Sequence, residues 1–265
     1  MDRATKNYFI TALTLLLIFA GSGAACASGP FGPPQTISRE AGGLNTAIGY
    51  SYQEDRLEDN AQYVFRQNQI YSQASYGAQN RWEIYGRIGV SDLTISDAFA
   101  SNNSSTIISS DRDFTEHWKF FGTLGAKGFL PVNKIFGVGA FLQGSYYLEH
   151  FKCEVAGTEA GAPFTADLKV RDLWDVNFGI GFQVTAPYDI KIYAGPYIYY
   201  SEAKANLSAD IAGLTFGTQK ISLENKAIAG GFAGVDVPLA KGFHLNIEGR
   251  YSERFSCSAA IGYRY

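Results

Sequence analysis

Three histidines are the residues of this sequence best suited to acid–base chemistry near neutral pH. His117 and His150 each follow a glutamate, so an imidazole that could act as a general base lies beside a carboxylate. His244 belongs to a distant segment, and no three-residue catalytic site is evident. Since no Cys/His spacing suits a metal site and no glycine-rich loop precedes a helix, we expect neither an enzyme nor a cofactor.

Charged side chains recur at every second position along several segments. The segment Gly242–Tyr251, GFHLNIEGRY, alternates apolar residues with His, Asn, Glu and Arg. Successive side chains of a strand point to opposite faces, so this alternation gathers the charges on one face. The charged residues predicted to share the inward face are Arg81, Glu83, Arg87, Lys119, Lys127, Glu149, Asp175, Lys191, His244, Glu248, Arg250 and Arg264.

The elements that carry these residues are predicted to be long strands. No helical period competes over a comparable length, and the runs of about 10–14 residues exceed the usual 5–6 of a soluble sandwich. A transmembrane barrel strand needs about 9–11 residues, apolar toward lipid and polar toward the interior. Because an open sheet edge cannot cross a bilayer, the sheet must close. We predict an all-β fold, a single transmembrane antiparallel up-and-down β-barrel.

Short connections and long polar segments alternate along the chain, which predicts an even strand number with both chain ends on the periplasmic side. Ten strands fit best, with eight or twelve as alternatives. The long segments 54–67, 93–116, 150–172 and 202–224 are expected to extend the hairpins beyond the bilayer. The predicted strands are 44–53, 68–77, 81–92, 117–129, 135–149, 173–186, 189–201, 225–237, 242–252 and 256–265.

The overall composition agrees with this fold and excludes others. The 265 residues are 46% hydrophobic and 18% charged, with a formal net charge of −3, and the mean hydropathy is −0.09. Several apolar helical spans would make the mean hydropathy positive, and 15% aromatic residues oppose disorder. The absence of a basic excess makes nucleic acid an unexpected partner.

The first residues have the pattern of a secretory signal. Arg3 and Lys6 precede the apolar run 8–20, and Ala25-Cys26-Ala27 is a small-residue site that predicts cleavage before Ser28. A membrane anchor is the alternative, although the run is short for a span. A lipoprotein with Cys26 as its acylated first residue is a weaker alternative. We predict a signal peptide at 1–27, a periplasmic leader at 28–43 and the barrel at 44–265.

Two cysteines remain after cleavage, Cys153 and Cys257, both near the predicted outer rim. An even pair in an oxidising compartment could form a disulfide. In a ten-stranded barrel the fifth and tenth strands lie on opposite walls. The bridge would therefore require the third long loop to fold inward.

The last residues, Ser258–Tyr265 (SAAIGYRY), resemble the C-terminal signature of bacterial outer-membrane β-barrel proteins, including small and porin-like barrels. In that family the chain ends in a strand with an aromatic final residue and alternating apolar partners. Ile261, Tyr263 and Tyr265 match it, and Ala260 stands where a glycine is expected. The resemblance implies an integral outer-membrane location, contact with outer-membrane lipid, and recognition of this strand by the barrel-assembly machinery.

The resemblance leaves the function open. Enzymes similar to the omptin proteases carry paired aspartates on one loop and an Asp–His pair across the mouth. Asp111 and Asp113 suit the first requirement, but segment 202–224 contains no histidine. Among the remaining readings we favour a charged, largely plugged lumen with a structural role or a surface-interaction role through the long hairpins, whose extracellular ligand is unknown.

A small diffusion pore with a weak anion preference is the alternative, and a rim-site protease or lipid-modifying enzyme is the third reading. Large and small inward residues favour the plugged interior, since they could fill it together. The small residues are Gly137, Gly139, Gly179 and Gly181, and the large ones are Phe121, Phe141, Tyr193, Tyr197 and Tyr199. The basic residues that would line a pore are Arg81, Arg87, Lys119, Lys127 and Arg250.

Overall fold

A computed structural model of the chain describes residues 29–35, 42–58, 62–79, 81–96, 98, 107–108, 113–159, 162–211, 214–224, 228–252 and 254–265. The predicted signal peptide and its cleavage site lie outside these residues. No helix within the described ranges is long and apolar enough to cross a membrane.

The described residues form thirteen strands. In chain order they are β1 (Gly43–Glu58), β2 (Gln62–Ala78), β3 (Trp82–Ser96), β4 (Ile107–Ile108), β5 (Phe114–Pro131), β6 (Phe136–Tyr147), β7 (Phe151–Glu159), β8 (Ala162–Ala186), β9 (Ile190–Ile211), β10 (Leu214–Glu224), β11 (Ile228–Pro238), β12 (Phe243–Ser252) and β13 (Arg254–Arg264).

Ten of these strands form a closed ring. Going round the ring, the order is β1, β2, β3, β5, β6, β8, β9, β11, β12 and β13, and every neighbouring pair is antiparallel. The first and last strands meet along eight residue pairs, from Asn45 opposite Arg264 to Tyr52 opposite Cys257. Each predicted strand overlaps one strand of the ring, so the preferred number of ten is confirmed.

The two ends of the barrel differ in their connections. Single 3-10 turns, Pro187–Asp189 and Ala240–Gly242, join strands at one end of the barrel. We call this the inner end, because the sequence predicts that the short turns face the periplasm, and we call the opposite end the outer end. At the outer end β1 and β2 remain paired up to Glu58 opposite Gln62. β7 pairs with the first part of β8, and β10 pairs with the last part of β9. Much of the predicted long segments is therefore hairpin, as expected.

The two faces of the wall differ in polarity. Apolar side chains cover the outward face, including Ile48, Ile70, Ile84, Ile88, Leu124, Leu142, Val176, Phe178, Ile180, Ile192, Ile198 and Ile261. Exposed aromatic side chains flank this band, with Tyr50, Trp118, Tyr146 and Tyr251 toward the outer end and Tyr76, Trp82, Phe243 and Tyr265 toward the inner end. A closed antiparallel ring with an apolar band, aromatic girdles and a polar interior is an outer-membrane β-barrel.

Two register shifts mark the level at which the wall leaves the apolar band. One lies where Ser91 and Leu93 of β3 face β5, and the other lies between Arg171 and Trp174 where β8 faces β9. A bulge adds one residue to one strand and reverses which face the following side chains occupy. As a result Phe114 and Val170 are fully buried at the outer mouth.

Arginine substitution on the outward face of β5 tests the membrane position of the wall. Leu124 is 76% exposed near the middle of the strand, and Leu130 is 66% exposed at its inner end. Leu124→Arg should lower the unfolding free energy by about 2–4 kcal/mol and Leu130→Arg by about 0–1 kcal/mol, because the cost of a charge in lipid depends on depth. Urea unfolding in lipid vesicles measures both, and equal costs would contradict the placement.

Candidate functional site

The interior of the barrel has two zones. An outer apolar cluster fills the mouth beneath the hairpins, and a zone of polar, charged and aromatic side chains lies at the level of the apolar band. The cluster comprises Phe65, Tyr71, Leu93, Ile95, Phe114, Phe121, Tyr147, Phe151, Leu168, Val170, Leu173, Ala203, Ala205 and Leu223. These side chains come from eight strands, so their packing joins the hairpins to the wall.

A short stretch of the chain before β1 lies inside the polar zone. Residues Gly29–Gln35 (GPFGPPQ), hereafter the lumen segment, enter the barrel, and Phe31 is only 1% exposed. The side chain of Gln183 exchanges hydrogen bonds of 3.0 and 2.9 Å with Gln35 at the inner end. At the other end of the segment, Gln143 donates to the carbonyl of Gly29 at 3.3 Å. The predicted periplasmic leader therefore lies within the lumen over these residues.

Glu248 and Arg250, two residues apart on β12, hold the middle of the lumen segment. The carboxylate of Glu248 accepts the backbone N–H groups of Phe31 at 3.0 Å and of Gly32 at 2.9 Å. Arg250 donates to Glu248 at 2.8 Å and to the carbonyl of Gly29. Tyr193 adds a hydroxyl donor to the same carboxylate at 3.1 Å. The buried Glu248 is thus compensated by a cation and three further donors.

Arg87 and Lys127 hold the segment from the opposite side of the barrel. Arg87 donates to the carbonyl of Pro30 at 2.5 Å and to Gln73 at 2.7 Å. Lys127 donates to the carbonyl of Pro33 at 3.3 Å and lies 3.3 Å from the carboxylate of Glu83. These two cations therefore bind backbone oxygens of the segment.

The ring of Phe31 occupies an aromatic pocket. Its centroid lies 4.1 Å from that of Phe141, 5.2 Å from that of Phe232 and 5.6 Å from that of Tyr197. The guanidinium of Arg250 lies 3.8 Å from the Phe31 centroid, within the range of a cation–π interaction.

A separate polar group closes the inner end of the lumen. His244 shares a 2.8 Å hydrogen bond with Asp236, and Arg264 donates to the same carboxylate at 3.3 Å. Lys191 is buried beside them and lies 4.0 Å from Asp189 of the turn. His244 therefore belongs to a buried ion-pair group and lies far from the rim histidines, as the sequence predicts.

Eight of the predicted inward residues are buried inside the barrel: Glu83, Arg87, Lys127, Asp175, Lys191, His244, Glu248 and Arg250. Lys119 is half-buried near the outer rim, 3.5 Å from Glu116. Arg81 and Glu149 are corrections, since both side chains are exposed. Arg81 lies in the turn before β3 begins, and Glu149 follows the end of β6, so the alternation of the strand does not extend to either residue.

The remaining predicted sites lie on the wall or at the rim. Cys153 and Cys257 are not joined by a disulfide, because Cys153 pairs with Leu168 in the β7–β8 hairpin and Cys257 pairs with Gly249 in the wall. His117 and His150 are exposed at the outer rim. No group of three or more metal-ligating side chains occurs among the described residues.

The C-terminal residues Ile261, Tyr263 and Tyr265 lie at the inner end of the outward face, where Tyr263 contacts Phe243. Their role in barrel assembly stays a prediction. All five aromatic residues predicted to face inward, Phe121, Phe141, Tyr193, Tyr197 and Tyr199, are buried.

The lumen segment is the part of the site that the sequence pattern did not reveal. The segment is too short and too rich in proline to indicate a strand, and it directly follows the predicted signal peptide and its cleavage site. The one available signal was Phe31, which lies between Gly29-Pro30 and Gly32-Pro33 and is the only large apolar side chain of the segment. For the two inward glycines opposite it, Gly139 and Gly181, the sequence predicts that aromatic side chains fill the adjacent space. Both leave room for Pro34, which would lie 2.6–2.7 Å from an added Cβ, and at Gly181 the rings of Phe141 and Phe232 lie 3.3 and 3.4 Å from the same position.

No protein-family model matches the sequence, and no curated protein matches it. Among solved structures, the chain is similar to the translocator domain of the autotransporter NalP from Neisseria meningitidis, with 12% identity and a TM-score of 0.46 over 84% of this chain and 88% of that one. It is also similar to the outer membrane protease OmpT from Escherichia coli, with 11% identity and a TM-score of 0.45 over 84% and 95%.

A third similar structure is Ail, the attachment invasion locus protein of Yersinia pestis, with 11% identity and a TM-score of 0.33 over 86% of this chain and 100% of that one. These TM-scores lie below 0.5, so the likeness carries no argument about function. The fold of this chain rests on its own strand pairing.

The buried pair of Lys127 and Glu83 provides a test of the lumen charges. Glu83→Gln should lower the unfolding free energy by about 3–5 kcal/mol, because it removes the carboxylate that compensates a buried ammonium. The matched control is Asp172→Asn, since Asp172 and Lys204 are also 3.3 Å apart but 44% and 54% exposed. That change should cost at most about 1 kcal/mol. Urea unfolding in vesicles gives both values, and a cost for Glu83→Gln no larger than that of the control would contradict the buried pair.

Proposed function

We propose that this outer-membrane barrel is a non-conducting scaffold that presents rigid extracellular hairpins as an interaction surface. The observation that carries the proposal is the lumen segment, whose backbone is held by Arg87, Glu248 and Arg250. A ten-stranded barrel has little room beyond its own side chains, since water-filled channels belong to barrels of about 16–18 strands. Among the described residues, this buried segment of chain obstructs an aqueous path through that space.

The cations that could attract anions into a pore are engaged by other groups. Arg87 and Arg250 bind carbonyls of the lumen segment, and Lys127 lies between Glu83 and Pro33. Arg81 is exposed in the turn before β3. The charge pattern that favoured a weakly anion-selective pore is therefore better explained as a set of binding partners inside a filled lumen.

The outer apolar cluster supplies a second barrier, independent of the lumen segment. Phe114, Phe121 and Phe151 are at most 1% exposed inside the mouth. Ions do not enter an apolar constriction without losing hydration, which makes such a cluster an effective gate. The barrel is thus closed by peptide at the level of the apolar band and by apolar side chains above it.

The hairpins support the proposed surface role because they continue the wall. β8 and β9 stay paired above the register shift, from Arg171 opposite Lys204 to Phe164 opposite Ile211. β7 and β10 extend this sheet on its two sides, and β10 reaches β1 at Glu224 opposite Glu58. A pre-ordered surface loses little conformational entropy on binding a partner. Its outward residues carry both signs of charge, with Lys152, Glu154 and Lys204 exposed.

Planar-bilayer recording tests the closed lumen. The full chain should show no steady current steps. Deletion of residues 29–35 alone should also leave the barrel silent, because the outer apolar cluster remains. Combining that deletion with alanine at Phe114, Phe121 and Phe151 should produce small current steps.

Heat-modifiable mobility on a detergent gel confirms in each case that the barrel has folded. Steady open channels in the full chain would contradict the proposed function and favour the diffusion pore.

Cysteine labelling tests which end of the barrel faces the cell exterior. In a chain with Cys153 and Cys257 replaced by serine, Glu154→Cys on β7 should react with a membrane-impermeant maleimide on intact cells. Lys134→Cys, exposed in the turn between β5 and β6, is the matched control and should react only after the outer membrane is permeabilised. The reverse pattern would place the hairpins in the periplasm and contradict the surface role.

A further inference from the structure

The lumen segment is bound as a ligand would be, by side chains that project from many separate strands. Its hydrogen-bonding partners lie on β3, β5, β6, β8 and β12. Four of these partners, Arg87, Lys127, Glu248 and Arg250, are charged and at most 6% exposed. Buried charges are stable only when they are compensated. Glu248 and Arg250 compensate each other, Glu83 compensates Lys127, and all four partners hydrogen-bond the peptide backbone.

The polar side chains of the wall bind backbone N–H and C=O groups of an extended peptide. Glu248 accepts two successive N–H groups, and the two arginines donate to two successive carbonyl groups, those of Gly29 and Pro30. Lys127 reaches the carbonyl of Pro33. Such contacts give affinity and fix direction, and they are independent of the peptide's side chains.

The side-chain selectivity comes from Phe31. Its ring stacks on Phe141 at 4.1 Å and meets Phe232 edge-to-face at 5.2 Å. The guanidinium of Arg250 covers the ring. A buried aromatic anchor of this kind is the typical centre of a peptide–protein interface.

The residues after Phe31 add a second constraint. Gly32 has a φ of +73°, a conformation that disfavours residues with a Cβ, and a Cβ there would lie 3.4 Å from the ammonium of Lys127. Pro34 fits between Gly139 and Gly181, whose added Cβ atoms would lie 2.7 and 2.6 Å from its ring. The pocket therefore suits the order Phe-Gly-Pro-Pro.

We propose that the inner half of the lumen is a peptide-binding site selective for a Phe-Gly-Pro-Pro segment. The chain's own residues 29–35 fill this site in cis, and a separate peptide of the same sequence fills it when that segment is absent or weakened. The inference deepens the proposed closed barrel by naming the ligand of its lumen. Its test measures binding and no current, so its failure is distinguishable from failure of the non-conducting function.

The experiment uses the barrel lacking residues 29–35, folded in detergent micelles, and a synthetic peptide of residues 28–35 (SGPFGPPQ) with a fluorophore at its C-terminal end. Fluorescence anisotropy should show saturable binding to the shortened barrel and much less to the full chain, whose site is occupied. A peptide with Phe31→Ala should bind about 30-fold more weakly, the loss typical of a buried aromatic anchor. A peptide with Gly32→Ala should bind about fivefold more weakly, because its Cβ strains the left-handed backbone.

Variants of the barrel locate the binding to this pocket. Glu248→Gln in the shortened barrel should weaken peptide binding about tenfold, because a charge-assisted clamp on two N–H groups becomes neutral. Asp236→Asn is the control within the lumen, since Asp236 contacts His244 and Arg264 at the inner end. It should leave peptide binding within about twofold of the shortened barrel's value.

If the shortened barrel does not fold, the same binding measurement is made with the full chain carrying Phe31→Ala. Its own segment lacks the anchor, so added wild-type peptide should displace it and bind. The proposal is overturned if folded barrels of both kinds fail to bind the wild-type peptide. Equal binding of the wild-type and Phe31→Ala peptides, or equal binding by the full and shortened chains, would also overturn it.

Discussion

The need to satisfy every backbone N–H and C=O group inside a lipid bilayer governs this structure. Lipid offers no hydrogen bonds, so a sheet in the membrane must have no free edge. The seam between β1 and β13 supplies the last row of these bonds. Once the ring is closed, each strand has one face toward lipid and one toward an enclosed interior, and the period-two alternation of the sequence follows from that geometry.

Closure creates a second requirement, because the interior must be filled. In the inner half the wall contributes charged and aromatic side chains, and small residues such as Gly139 and Gly181 leave space that Pro34 occupies. Arg87, Lys127, Glu248 and Arg250 each hydrogen-bond the peptide backbone of the lumen segment. In the outer half the register shifts turn Phe114, Leu168 and Val170 inward, where they join the outer apolar cluster. The inner half is thus filled by polar, charged and aromatic side chains together with the lumen segment, and the outer half mainly by apolar side chains.

The closed interior and the ordered exterior depend on each other. The apolar side chains that fill the mouth, among them Leu168, Val170 and Leu223, belong to the hairpins that rise above the membrane. The same contacts that pack the mouth therefore join the hairpins to the wall. The proposed interaction surface and the proposed site for an extended peptide both rest on this arrangement.

Much of the architecture was readable from local pattern. Strand existence, the number ten and the outward apolar band follow from alternation and from the spacing of turns, because the pleat of a strand acts on neighbouring residues. The inward placement of Glu83, Lys127 and Glu248 followed from the period-two alternation of side chains along a strand. This alternation does not apply to Arg81 and Glu149, because both lie beyond the strand ends. Only the tertiary structure brought Phe31 to Phe141 and its N–H group to Glu248, 217 residues away. No periodicity encodes such a contact, because it depends on the shape of the cavity that the closed ring encloses.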